Sequence, residues 1–388
     1  MSRNPFLRPE HDELQRQVAR FVAAEIEPHA LAWDEAGATP RGLLRKMGAL
    51  GWLGLMHPTE HGGGGVDMLT NVVWQEALSR STSGGAVITV LVHTDMASPH
   101  LVNAGTAEQQ ARWLPAICRG ECITAVAVTE PDAGSDVAAI RTRAVRHSDA
   151  SGDHYVLDGS KIFITNGVLA DLYFVAAKTD PQAKGSRGIS IFAVERGTPG
   201  FRVSRALKKQ GWLASDTAEL VFENCRVPAA NRLGEENAGF YAIMKNFQVE
   251  RIALGSMAIG HCLSALDLTY RYVNDRRAFG ASLWDKQTIR QTLSMLAARV
   301  EAARALLYQC AWQVDQGHDT VREVSMLKAL TGELVNDVTY ACQQFHGGMG
   351  YMRETPIERL VRDARVLAIG GGATEVMLEE VAKRFAVE

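Results

Sequence analysis

Between Phe240 and His261 the chain reads FYAIMKNFQVERIALGSMAIGH. Phe240, Ile243, Phe247, Leu254, Met257 and His261 recur at alternating steps of three and four, the spacing of one helix face. Position 250 completes that series, and it is Glu250. A carboxylate on an apolar stripe is costly to keep charged, and buried carboxylates without a role are uncommon. One reading is a structural ion pair with Arg251 or Lys245. The other is a general base whose pKa is raised by desolvation. Spacing alone leaves the two open.

A second candidate acid stands in AIGGGATEVM, residues 368–377. Three glycines separate RDARVL from the apolar-periodic run VMLEEVAKRF. Glu375 falls in the first turn of that last run, where a negative charge suits the helix dipole. A catalytic Glu375 is the competing reading. In AVAVTEPDAGSD (125–136), Thr129, Gly134 and Ser135 share a turn that can aim N–H groups and hydroxyls at a polar ligand edge. An ordinary loop is the alternative. KIFITNG puts Thr165 at a strand end, DRRAFG supplies Arg276 and QQFHGGMGY a glycine pair. On spacing alone Arg276 reads as a surface ion-pair residue. His261 and His346 lack metal-like partners and read as core or flavin-edge histidines. Six cysteines at 118, 122, 225, 262, 310 and 342 form no CxxC pair, so reduced thiols and a cytoplasmic location are expected.

The elements that carry these residues come in three textures. Residues 1–122 have helical periodicity, with AVITVLV (86–92) as a buried helix. Residues 123–234 hold short runs rich in Val, Ile, Phe and Tyr, such as HYVLDGSKIFITN, DLYFVAAKTD and AELVFENCRV, bounded by Gly, Asp and Asn turns. They predict an antiparallel β domain. Residues 235–388 return to long helices. The fold class is α+β in the order α, β, α, without the alternating βα units of a Rossmann sheet. Formal net charge is −3 and hydrophobic content 46%, which points to a globular protein without a nucleic-acid surface. The polar start gives no signal-peptide core, and no membrane insertion is expected.

VTEPDAGSD, KIFITNG, DRRAFG, QQFHGGMGY and ERLVRDAR, in this order on an α–β–α frame, resemble the acyl-CoA dehydrogenase family over nearly the whole chain. The resemblance implies a C-terminal four-helix bundle, non-covalent FAD and an acyl-CoA substrate. It also implies a homotetramer, an electron-transfer flavoprotein as electron acceptor, and a place in fatty or branched acyl catabolism by β-oxidation. Positions matching flavin contacts are Val126, Val128, Thr129, Gly134 and Ser135, then Phe163, Ile164 and Thr165, with Thr374 and Glu375 at the last helix. Arg276, Phe279, Gln287, Gln344, Phe345, Gly347 and Gly348 match residues that reach the FAD of a neighbouring subunit. Ser135 also matches an acyl-CoA contact.

The family reaction is α,β-dehydrogenation of an acyl thioester to the trans-2-enoyl thioester. Many members hold the base in a YEGT-like segment, and Gly371 stands at that Glu. QVERIALG instead looks like the QERL and LERL segments of long-chain and isovaleryl-CoA dehydrogenases, which carry the base on this helix. The resemblance therefore assigns Glu250 as catalytic base, Arg251 to the substrate side, and Gly371 and Gly372 to the thioester. Gly372 brings a backbone N–H to the carbonyl oxygen. GGGATEVM also looks like the citronellyl-CoA group. Glycines at 370–372 are expected to leave room beside Cα–Cβ for a branched or long chain. A flavin monooxygenase or nitroalkane-oxidase-like enzyme on the same fold is the rival, since such relatives also lose the loop Glu. A non-catalytic binding protein is the second rival.

Overall fold

The computed structural model describes residues 5–385 apart from 151 and 184; residues 1–4 and 386–388 also lie outside it. The chain opens with α1 (Pro9–Phe21), α2 (Ala30–Ala36), α3 (Arg41–Ala49), α4 (Met68–Leu78), α5 (Gly84–Leu91), α6 (Pro99–Ala104) and α7 (Ala107–Cys118). Polar side chains start two of them. Asp67 accepts the Thr70 N–H at 2.8 Å ahead of α4, and Thr106 and Gln109 cap each other's backbone ahead of α7. The apolar run expected to be a buried helix is α5, and all of it is buried.

The middle domain holds β1 (Thr124–Ala127), β2 (Arg143–Asp149), β3 (Gly152–Thr165), β4 (Leu172–Lys178), β5 (Ile189–Glu195), β6 (Phe201–Ala206), β7 (Thr217–Pro228) and β8 (Arg232–Leu233). The path is β6-β7-β3-β2-β4-β5-β8, with β1 added at β4. The antiparallel expectation needs one correction. β1 runs parallel to β4 from Thr124↔Leu172 to Ala127↔Val175, and β2 meets β4 in parallel at Arg143↔Lys178. A hairpin sets antiparallel direction, but the β2–β3 hairpin lies between β1 and β4 and serves as their crossover.

Beyond the sheet come α8 (Gly239–Asp275), the short pair β9 (Arg277–Ala278) and β10 (Ala281–Ser282), then α9 (Gln287–Asp315), α10 (Val321–His346), α11 (Pro356–Ala364) and α12 (Thr374–Ala382). At 37 residues, α8 is about 55 Å long. By length and composition it also passes for a membrane span, which the sequence reading did not foresee. However, 78% of its apolar window is buried inside the protein, where α8 packs on α10, α9 and α4.

The three parts lock together around Asp34 of α2. Its carboxylate accepts from Arg359 Nε and an Arg362 terminal nitrogen of α11, both at 3.1 Å, and from the Ala214 N–H at 3.1 Å. Thr39 donates to the Ala214 carbonyl at 2.7 Å. Beside them Gly84 and Gly85 start α5. A Cβ on Gly85 would lie 2.7 Å from the Ala214 nitrogen, and one on Gly84 2.6 Å from Asp363 Oδ2. A Cβ on Gly211 would likewise run into the Arg362 carbonyl of α11, so backbones from all three parts approach here because no side chain keeps them apart.

Candidate active site

The α8 periodicity delivers Glu250 to the inner side of the C-terminal bundle, two thirds of the way from its far end. Among the described residues no hydrogen bond or ion pair closes on its carboxylate, so the structural pair with Arg251 or Lys245 is not made. Burial pushes its pKa up to about 7, against the pull of the Arg251 and Lys328 charges. A carboxylate so placed changes protonation near neutrality, which suits a general base. Arg251, 8% exposed, lies with its guanidinium 5.8 Å from the Phe247 ring centroid, and its buried Nε has no hydrogen-bond partner.

The glycine loop between α11 and α12 comes directly to this acid. Gly371 has φ +64° and Gly372 φ +104°. A Cβ built on Gly371 lies 3.2 Å from Glu250 Oε1 and 2.1 Å from Leu254 Cδ1. Positions 250 and 371 thus face the same point from opposite sides. The room expected beside Gly371 is taken by Leu254, which is one turn along α8 and packs where a side chain at 371 would sit. Among the described residues the Gly371 and Gly372 N–H groups donate to no backbone carbonyl. From behind, Lys328 of α10 donates to the Leu367 carbonyl at 2.6 Å and the Gly372 carbonyl at 3.0 Å.

On the middle domain the VTEPDAGSD turn closes through reciprocal Glu130 and Ala133 backbone bonds of 2.9 and 3.1 Å. Thr129 accepts the Ile162 N–H at 2.9 Å, which joins this turn to the end of β3. There Phe163 has φ +61° and turns outward, 65% exposed, between Ile162 and buried Ile164. Thr165 ends the strand opposite Thr217. Gly134 and Ser135 are exposed at the rim.

Three family models match in succession: the acyl-CoA dehydrogenase N-terminal domain over residues 8–121, the middle domain over 125–225 and the C-terminal domain over 237–386. The mitochondrial long-chain specific acyl-CoA dehydrogenase of Mus musculus is 42% identical, covering 97% of this chain and 86% of that protein. The chain belongs to the acyl-CoA dehydrogenase family. The mitochondrial isovaleryl-CoA dehydrogenase of Pongo abelii is 36% identical over 98% of this chain and 89% of its own length. The crystal structure of the acyl-CoA dehydrogenase from Geobacillus kaustophilus superposes with a TM-score of 0.94 at 40% identity, covering 99% of this chain and 100% of that one. A chain described as the electron transferring flavoprotein of Acidaminococcus fermentans gives 0.94 at 34% identity, each chain fully covered.

The family is FAD-dependent, and the dehydrogenase has a surface that fits a flavin. At Gly134 an added Cβ would enter open space, its nearest neighbour being Thr129 Cγ2 at 4.0 Å. An outward aromatic, Phe163, flanks the same turn. The remaining flavin matches form a second patch at the far end of the bundle. Arg276 ends α8, Phe279 is 95% exposed and Gln287 opens α9. Gln344, Phe345, Gly347 and Gly348 end α10 beside them. His346 makes that junction: its ring stacks on Tyr272 at 4.3 Å and contacts the Thr269 hydroxyl at 3.1 Å. Among the described residues Arg276 makes no ion pair, so the surface-pair reading finds no partner within the chain. Thr374 bonds Glu333 at 2.7 Å, and Glu375 is an exposed residue of the first turn of α12.

Two lysines were missed by sequence reasoning. Lys161, fully buried, donates to the Glu130 carboxylate at 2.7 Å and the Val128 carbonyl at 2.9 Å, and so pins the VTEPDAGSD turn. Lys328, 1% exposed, pins the glycine loop. A lysine inside an otherwise core-facing pattern was the available signal in both. Trp212 sits at the domain junction. Its backbone N–H donates to the Asp363 carboxylate at 2.5 Å and its backbone has φ +49°.

Proposed function

We propose that this acyl-CoA dehydrogenase takes the α-proton of its acyl thioester on Glu250. The observation that carries the reading is the 3.2 Å approach between the Gly371 Cβ position and Glu250 Oε1. The acid stands on α8 at the point that a loop acid at 371 would reach. Thr129, Gly134, Ser135, Phe163, Ile164 and Thr165 hold FAD, which when bound supplies the acceptor for the hydride leaving Cβ. Glu250 receives the proton from Cα, and the electron pair left there becomes the Cα–Cβ double bond. The Gly371 and Gly372 N–H groups are free to donate to the thioester oxygen, where negative charge gathers as the proton departs. Arg251 lines the substrate side.

The acyl chain is long or branched, in keeping with the long-chain and isovaleryl relatives. The likeness to the electron transferring flavoprotein chain supports such a protein as the electron acceptor. Arg276, Phe279, Gln287 and Gln344–Gly348 are far from the Thr129 turn in the element order and complete the flavin site of a neighbouring copy in a tetramer. Anaerobic mixing with acyl-CoA tests the base. Glu250→Gln retains FAD but loses flavin bleaching by about 10³-fold or more. Bleaching at the wild-type rate would end the assignment. Because Glu250 accepts a proton, wild-type bleaching rises with pH through a midpoint near 7 in the free enzyme.

A further inference from the structure

Lys328 is an ammonium buried without a carboxylate at ion-pair distance among the described residues. That is an expensive arrangement, because a neutral donor could satisfy two carbonyls at a smaller desolvation cost. Its two bonds bracket the loop, one at Leu367 and one at Gly372, with Gly371 between them. Gly371 in turn abuts Glu250. We propose that Lys328 is a positioning residue for proton abstraction: it fixes the Gly371–Gly372 backbone against the base and keeps a positive charge behind it. The inference rests on Glu250 being the base.

The groups around the pair are few. Arg251 faces Glu250 from α8 itself, and Lys328 faces it from α10. Glu333 of α10 acts on Lys328 but is engaged by the Thr374 hydroxyl. Glu380 of α12 and Arg384 act on Arg251 and pair with each other at 2.7 Å. Lys328 is therefore a charge on Glu250 without a carboxylate of its own. It favours the ionised acid, which is the form that accepts a proton. Its holds on the Leu367 and Gly372 carbonyls anchor the loop on both sides of Gly371, so the Gly371 and Gly372 peptides are restrained between two fixed points.

Removing the charge raises the pKa of Glu250 and moves the acid limb of flavin reduction to higher pH. In FAD-loaded enzyme mixed anaerobically with acyl-CoA, Lys328→Met moves that midpoint up by about one unit, and the plateau rate falls as the loop loosens. Lys328→Arg keeps the midpoint within a few tenths of a unit and lowers only the plateau, since a guanidinium cannot copy both bonds. Where the methionine variant fails to retain FAD, Lys328→Gln keeps a donor, drops the charge and shows the same shift. A readout independent of turnover is the pH at which the stability gain of Glu250→Gln over its parent levels off; that upper edge moves upward by a similar amount in the Lys328→Met background, while the onset at the unfolded carboxyl pKa stays in place. An unmoved midpoint and upper edge overturn the inference about Lys328 while leaving the base in place, provided Glu250→Gln is inert. A Glu250→Gln variant that still bleaches its flavin removes the base assignment and this inference together.

Discussion

Replacing Glu250 by Gln should make the protein more stable, and more so as pH rises. Burial lifts the carboxyl from 4.5 to about 7 in the folded chain. Between those values the folded state binds a proton that the unfolded state does not, so each unit of rising pH removes about 1.4 kcal/mol of stability. The loss begins near pH 4.5 and levels off above pH 7. Glutamine has nearly the same shape and no charge, so it escapes the loss. The advantage of Glu250→Gln over wild type is accordingly small at pH 5 and larger by about 2–3 kcal/mol at pH 8. For a chain of this size that corresponds to about 2–4 °C in melting temperature. Melting of FAD-loaded wild type and variant in parallel at pH 5, 6.5 and 8 reads it directly. A difference that stays flat with pH means that Glu250 is solvated and its pKa ordinary, and the argument for a poised base fails.

Lys161→Met leaves the Glu130 carboxylate buried without its cation; a loss of about 3–5 kcal/mol is expected, with faster FAD release on dilution. Gly371→Glu alone does not recreate a loop base, because φ is +64° and Leu254 occupies the Cβ position. It should lower stability by about 2 kcal/mol or more, whereas combining it with Leu254→Ala and Glu250→Gly should recover measurable flavin bleaching. If the single variant bleaches at the wild-type rate and melts normally, the packing account of that loop is wrong. Glu375→Gln, at an exposed helix start, should leave bleaching unchanged and stability within about 0.5 kcal/mol; a dead enzyme would return Glu375 to the list of bases.

Local pattern exposed some of this site and concealed the rest. The α8 periodicity isolates Glu250 because helix spacing is a local property, and the three textures follow from the same local rules. Its partner across the site could not be read this way. Gly371 lies on another element, and only the family likeness linked the two positions before the structure did. The parallel pairing of β1 with β4 depends on which strand fills a gap in the sheet, which alternation cannot say. Lys328 was invisible for a related reason. Its two acceptors are main-chain carbonyls, about 40 residues on, and carbonyls carry no residue identity. Glu130 and Lys161 are both in quoted motifs, yet their pairing needs the fold of the turn onto β3. At Gly371 itself the space is filled, because glycine removes a side chain without preventing a neighbour, here Leu254, from taking its place, whereas an added Cβ at Gly370 would meet nothing nearer than 3.6 Å.

The contact of Gly84 and Gly85 with Ala214 and Asp363 also bears on engineering. Chimeras between relatives are commonly cut where sequence texture changes, which here would separate the strands cleanly from the helices. Such a cut divides the 211–215 segment from α5 and α11, whose backbones it meets at closer than side-chain distance. A graft of the middle sheet therefore has to bring matching pieces of both helical regions with it, or the imported loop will not seat. Transplanting acyl-chain preference into this scaffold is better attempted through single positions such as Leu254 than by exchange of whole domains.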